Sequence, residues 1–362
     1  MSKALTNYLL TGGGTAGHVN PLLTVADYLR KRSPQDQVLA LGTKEGLESR
    51  LVPEAGIELL FIEKLPFPRR PGIWAIVFPF KFASAVSKVR KFIRAHSINI
   101  VVGFGGYVSA PAYVAAKREK VPIVIHEANA LPGIANKVGN RFASAAGKTF
   151  RSANMAHTEF VGMPLRASIV ALATKKDTAA ARKHFGLRPD QLTLLVTGGS
   201  LGARSINQTV ESSRAVFAAA GIQVLHIVGG ASELDEVSEP QYARVRYVDQ
   251  MELAIAASDF AVSRAGAATV SEFSAIGLPA LYIPYPVGNG EQKFNLQDVL
   301  AAGGAVTIAD SEFTPDYVRS TLIPMLSDSK RLAEMSEFAR QAGVLDGTER
   351  FVALIDEVLA RR

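Results

Sequence analysis

The sequence has no cysteine in its 362 residues, which excludes disulfide scaffolds, zinc ribbons, iron–sulfur clusters and thiol nucleophiles. It has no apolar run of about 18 residues, the length a membrane-spanning helix needs. No signal-peptide core precedes the first glycine-rich loop, so a place in the cytoplasm or on the cytoplasmic face of the membrane is expected. No D-x-D pair occurs, and the histidines at 18, 96, 126, 157, 184 and 226 are dispersed, so no metal is expected. A departing diphosphate would then be stabilised by backbone N–H groups, helix dipoles and arginine. Acidic residues are missing altogether between Glu63 and Glu119.

What is present is the composition of a globular protein, 48% hydrophobic and 20% charged. At roughly 150 residues per domain, the length predicts two domains, each with its own core. Apolar runs at 8–11, 37–42, 57–62, 98–103 and 121–126 alternate with helical stretches, the first of these at about 21–32. A second series follows at 192–197, 224–228, 245–248, 260–263 and 280–283. This pattern predicts an α/β protein of two doubly wound units, each opening strand, glycine loop, helix. We place the domains at 1–165 and 166–346, with a last helix at about 347–362 able to pack on either.

The loops carry the chemistry. Gly12, Gly14 and Gly17 match G-x-G-x-x-G after a strand, where backbone approaches a ligand and a helix N-terminus offers N–H groups. A dinucleotide site would want an acid after the next strand, where Leu41-Gly42-Thr43 stands instead. His18, at the entry of the helix, is expected to be a neutral imidazole and suits a general base. Residues 103–109 form a second glycine loop, and residues 126–129 (His-Glu-Ala-Asn) close the next strand. In the second half, 198–204 repeats the device. Arg264 and the small residues of 265–268 suit a phosphate, with Glu272 in reach of a ribose hydroxyl. The amide-rich segment 285–295 suits a sugar.

The acid-free stretch holds ten basic residues. Subtracting ten from the net charge of +7 leaves the rest of the chain at −3. Arg69, Arg70 and Lys81 interleave with Phe67, Ile73, Trp74, Ile76, Val77, Phe78, Phe80 and Phe82, and the core of the expected patch is Arg69, Arg70, Ile73, Trp74, Val77, Phe78 and Lys81. Bulky apolar groups flanked by cations suit an anionic membrane surface. Nucleic acid and a buried helix with a solvated basic face are the competing readings, and no RNA-binding signature appears.

Taken in order, residues 12–21 (GGGTAGHVNP), 103–111 (GFGGYVSAP), 126–129, 198–207 (GGSLGARSIN) and 264–279 (RAGAATVSEFSAIGLP) resemble the MurG family along nearly the whole chain. These are bacterial N-acetylglucosamine transferases of peptidoglycan synthesis. The resemblance implies a GT-B fold, two Rossmann-like domains facing across a cleft, with the last helix returning to the first domain. It implies inverting transfer from UDP-N-acetylglucosamine to the C4 hydroxyl of lipid I (undecaprenyl-pyrophosphoryl-N-acetylmuramyl-pentapeptide). The acceptor would lie on the first domain and the donor on the second. It implies no cofactor, no nucleic acid, and a peripheral place on the cytoplasmic face of the cell membrane.

By motif, Thr15, Ala16, Gly17, Asn129 and Gln292 would contact donor sugar or diphosphate. Arg166 and Ser200 would reach the nucleotide, Val248 uracil, Arg264, Ala267 and Ala268 the phosphates, and Glu272 ribose. Gly105, Gly106, Tyr107 and His126 would face the acceptor, with His18 or Glu127 as base. The alternatives are another UDP-sugar transferase or epimerase of this fold, or a non-catalytic nucleotide-sugar-binding scaffold at the membrane.

Overall fold

The computed structural model describes residues 5–68, 70, 72–287 and 290–361. The chain divides into two compact units, Met1–Arg166 with Asp346–Arg362, and Ala167–Leu345.

The first unit is built on the strands β1 (Asn7–Gly12), β2 (Gln37–Gly42), β3 (Glu58–Phe61), β4 (Ile100–Gly105), β5 (Ile123–Glu127), β6 (Ala145–Lys148) and β7 (Glu159–Phe160). They form one parallel sheet in the order β3-β2-β1-β4-β5-β6-β7. The central strands are buried along nearly their whole length, so they read as continuous apolar runs rather than alternating ones. The helices α1 (Ala16–Arg32), α2 (Glu48–Glu54), α3 (Ile73–Ala95), α4 (Ser109–Glu119) and α5 (Ile134–Gly139) make the crossovers. Helix α1 starts five residues before the expected Pro21, because the glycine loop ends at Thr15 and the helix absorbs the proline. The helix Gly347–Ala360 buries Phe351, Val352, Ile355 and Val358 in the core formed by α1 and the sheet.

Helix α3 carries two stripes. Trp74, Phe78 and Phe82 recur every four residues, lie partly buried and pack on the core that holds Ala85, Val86 and Val89. Ile73, Ile76 and Phe80 face outward, 82, 71 and 76% exposed.

The second unit holds β8 (Thr193–Thr197), β9 (Gln223–Ile227), β10 (Val237–Glu239), β11 (Tyr242–Val245), β12 (Phe260–Ser263), β13 (Ala280–Tyr282) and β14 (Ala305–Thr307), in the order β10-β11-β9-β8-β12-β13-β14. Only β10 runs antiparallel among the described strands of this sheet. The strand expected at 245–248 ends where it was to begin: Tyr242–Val245 pairs with Val224–Ile227, and Arg246 and Tyr247 are already exposed.

Candidate active site

The site in the first unit begins where β1 ends. Thr15 stands in extended backbone before α1, so Ala16 and Gly17 are the first helical residues and their N–H groups lack partners within the helix. His18 follows. Its Nδ1 lies 3.1 Å from the Gly13 carbonyl oxygen and 3.3 Å from Thr15 Oγ1. A carbonyl only accepts, so this geometry places the proton on Nδ1 and the lone pair on Nε2. The Nε2 edge lies beside Gly105, where a Cβ would stand 3.1 Å from it. A Cβ on Gly106 would press to 2.5 Å from the Gly13 oxygen, so the loops after β1 and β4 meet backbone to backbone. Tyr107 beyond them is 42% exposed.

Two expectations are corrected on β5. His126 does not face an acceptor: it is fully buried, Nε2 is 2.9 Å from the Gly162 carbonyl, and the ring packs on Phe104 and Phe351. Glu127 does not present a carboxylate to substrate. It is buried, its Oε1 accepts from Asn129 N–H at 2.9 Å, and its Oε2 accepts from Gly133 N–H and Asn136 Nδ2. Asn136, in turn, accepts from the buried Tyr113 hydroxyl. Glu127 therefore closes the turn that carries Asn129. Neither Asn136 nor Glu48, whose carboxylate accepts from Gly14 N–H at 2.8 Å, was read as part of the site. The only sequence signal for Glu48 is its place among glycines, two and six residues after Gly46 and Gly42.

In the second unit the loop after β8 places Ser200 in an exposed turn. Gly202 in that loop packs directly on the Val228 carbonyl after β9, a contact that any Cβ would block. Asn207 Nδ2 donates to the same carbonyl at 2.9 Å, and Asn207 Oδ1 lies 3.1 Å from the Nε2 of buried His226. Val248 is half-buried after β11. Gly266 leads into the helix Ala267–Ile276, whose first-turn N–H groups at Ala267 and Ala268 open the helix, with Glu272 partly exposed on its second turn. Arg166 is the partly exposed last residue of the first unit before the helix Ala167–Ala171.

Arg264 is a further correction. Its guanidinium pairs with Asp310 at 2.5 Å and donates to the Ile283 and Pro284 carbonyls and to Ser205, leaving it 9% exposed. It ties the ends of β12 and β13 together and is not aimed at a phosphate. Gln292 spends its amide oxygen on the N–H groups of Ala265 and Tyr285, so what it offers a ligand is the amide nitrogen. Gly288 and Asn289, in the segment expected to suit a sugar, lie outside the described residues.

The residues of the expected membrane patch divide between an inward and an outward face. Arg69 lies outside the described residues. Trp74 and Phe78 turn inward, with Trp74 Nε1 donating to the Pro66 carbonyl and both rings stacked edge-on. Val77 is half-buried, Lys81 pairs with Glu63 at 3.0 Å, and Arg70 is exposed. The outward apolar stripe is Ile73, Ile76 and Phe80, with Phe67 53% exposed nearby in the chain. Among the described residues, no helix is long and apolar enough to cross a membrane.

Family models match on both halves: the glycosyltransferase family 28 N-terminal domain over residues 8–147 and the C-terminal domain over 193–351. The chain belongs to glycosyltransferase family 28. A relative from Clavibacter sepedonicus, a UDP-N-acetylglucosamine–N-acetylmuramyl-(pentapeptide) pyrophosphoryl-undecaprenol N-acetylglucosamine transferase, is 54% identical over 99% of this chain and 98% of its own. One of the same name from Streptomyces coelicolor is 45% identical over 98% of each. The crystal structure of Acinetobacter baumannii MurG, 27% identical, matches with a TM-score of 0.77 over 97% of this chain and 99% of that one. The fold is GT-B, and the chain is a glycosyltransferase rather than a scaffold. UDP-N-acetylglucosamine 2-epimerases share the fold at 14% identity, so the fold alone does not choose between transfer and epimerisation.

Burial also sets the protonation of the two core histidines. It lowers His126 to about 4, against a smaller rise from the Gly162 hydrogen bond. It lowers His226 to about 3, with Arg244 adding to the shift and Glu211 opposing it. Both are neutral in the folded protein, whereas unfolded histidine binds a proton below about 6.5. Stability contributed by these groups is therefore complete above pH 6.5 and lost as pH falls toward the folded values. From pH 6.5 to 5 each histidine should cost about 2 kcal/mol of stability, before the carboxylates begin to titrate. Melting curves across that range should fall steadily, and a flat profile would show that the imidazoles ionise in place.

Proposed function

We propose that this transferase moves N-acetylglucosamine from UDP-N-acetylglucosamine to the C4 hydroxyl of lipid I, giving lipid II and UDP with inversion. The observation that carries this reading is the His18 imidazole, its Nδ1 on the Gly13 carbonyl and its Nε2 turned toward the loop after β4. In this reading the first unit takes the acceptor and the second the donor. The C4 hydroxyl gives its proton to His18 Nε2 as its oxygen attacks C1 of the donor sugar. The bond from C1 to the diphosphate oxygen breaks, and UDP leaves with the electron pair. The Ala267 and Ala268 N–H groups receive the diphosphate charge, supported by the helix dipole. Glu272 takes the ribose, backbone near Val248 the uracil, and Ser200 and Arg166 the nucleotide. Asn129, the Gln292 amide nitrogen and the Thr15–Ala16–Gly17 turn hold the sugar, and Gly105, Gly106 and Tyr107 border the acceptor. The Ile73, Ile76 and Phe80 stripe with Arg70 and Lys81 rests on the anionic cytoplasmic face of the membrane.

Labelled N-acetylglucosamine should pass from its UDP donor to a short-chain lipid I analogue with EDTA present. UDP binding without transfer would point to a different acceptor. His18→Ala should lower kcat by about 10²–10⁴-fold while UDP affinity stays within about twofold. Unchanged turnover would remove His18 from the base role. Replacing Ile73, Ile76 and Phe80 together by serine should weaken binding to phosphatidylglycerol-containing vesicles at least about tenfold. Equal binding by the variant would refute the membrane assignment.

A further inference from the structure

One peptide group in the first glycine loop is hydrogen-bonded at both ends. The N–H of Gly14 donates to Glu48 Oε2 at 2.8 Å, and the carbonyl of Gly13, the other half of the same amide, accepts from His18 Nδ1 at 3.1 Å. We propose that Glu48 is a positioning residue for the transfer reaction, acting on His18 through this peptide.

The carboxylate is built into its place. Glu48 is fully buried at the start of α2, and its Oε1 accepts from the Thr43 N–H at 2.9 Å and the Thr43 hydroxyl at 2.8 Å. A buried carboxylate is costly unless its lone pairs are used, and here three donors use them. Three glycines leave room for it. A Cβ on Gly13 or Gly42 would come within 2.5 Å of the Glu48 side chain, and one on Gly46 would collide with it outright. An acid that serves only to begin a helix does not need such a cradle.

The consequence follows from how hydrogen bonds polarise one another. A carboxylate on the N–H end of an amide pulls positive charge to that end and makes the carbonyl oxygen a stronger acceptor. The stronger acceptor holds the proton on His18 Nδ1, keeps the ring in one orientation and leaves Nε2 as the basic nitrogen. As Nε2 takes up a proton, the same negative end stabilises the imidazolium. This is the base-and-orienter logic of hydrolase triads, with a peptide bond inserted between acid and imidazole.

The proposal rests on His18 being the base, so the test reads the imidazole directly as well as turnover. In protein labelled with ¹⁵N-histidine, the His18 signals are assigned by their loss in His18→Ala. The wild-type ring should carry its proton on Nδ1. In Glu48→Gln, which keeps the volume and removes the charge, the tautomers should redistribute toward Nε2–H. The same variant should lose about tenfold in kcat, the loss expected for one charge-assisted hydrogen bond, with KM for UDP-N-acetylglucosamine nearly unchanged. His18→Ala combined with Glu48→Gln should be no slower than His18→Ala alone, because the two act as one unit. Glu48→Asp, which withdraws the carboxylate by one methylene, gives the same tautomer readout if the amide variant does not fold. A wild-type ring protonated on Nε2 would overturn the relay without any variant. Multiplying losses in the double variant would reduce Glu48 to a loop anchor. Unchanged turnover in His18→Ala would fail the base reading and leave the tautomer result to stand or fall by itself.

Discussion

Parallel pairing sends every strand of a doubly wound sheet out at the same edge, so the loops that follow neighbouring strands are forced against each other. In the first unit β1 and β4 are neighbours, and their loops meet at Gly13 and Gly106. In the second, β8 and β9 are neighbours, and Gly202 meets Val228 and Gly229. Backbone can approach backbone this closely only without side chains. The glycines that look like ligand loops are therefore first a condition of the sheet closing at that edge. Their use in chemistry follows from what the absent side chains leave exposed, namely helix N-termini at Ala16 and Ala267.

Loops packed in this way turn backbone donors and acceptors partly away from water, and side chains satisfy them. The two units solve this with different chemistry. The first uses carboxylates: Glu48 on Gly14 and Thr43, and Glu127 on Asn129 and Gly133. The second uses amides, with Asn207 on Val228, and Gln292 and Asn295 on the two ends of Ala265. Arg264, a cation that also serves this role, is offset by Asp310. Buried negative charge under a loop repels a second anion, while a neutral frame leaves the helix dipole free to attract one. In the proposed reading that contrast suits the departing UDP diphosphate to the second unit, and it arises from framing residues rather than from the glycine motifs.

The same contrast explains what the sequence revealed. Strands, glycine loops and the repetition of the device were legible because burial on both faces demands apolar runs and the turns demand glycine. The framing residues were not. Glu48 sits in a polar stretch, Thr-Lys-Glu-Gly-Leu-Glu-Ser-Arg, that reads as a solvated loop, and its partner Gly14 is 34 residues away. Arg264 and His126 stand beside the right loops, yet nothing in their spacing tells a side chain aimed at a ligand from one aimed inward. On α3, Trp74 reads with the membrane patch as one of several bulky apolar groups flanked by cations. Helical phase places it with Phe78 and Phe82, against the core, and leaves the outer face to Ile73, Ile76 and Phe80.

Three histidines show how environment, not residue type, assigns a proton-transfer role. His126 and His226 are enclosed, and desolvation keeps them neutral far below the range where a base works. His18 is partly exposed at the head of α1, with one ring nitrogen already committed as a donor to a carbonyl. Glu127 fails the opposite way. Its oxygens are engaged by three N–H donors, so taking up a proton would mean giving up the bonds that hold its loop. A base must have a lone pair whose use costs the fold nothing. At this edge of the first sheet the buried carboxylates do not meet that condition, and in the proposed reading Glu48 contributes to the chemistry by holding His18 in place through the Gly13–Gly14 peptide.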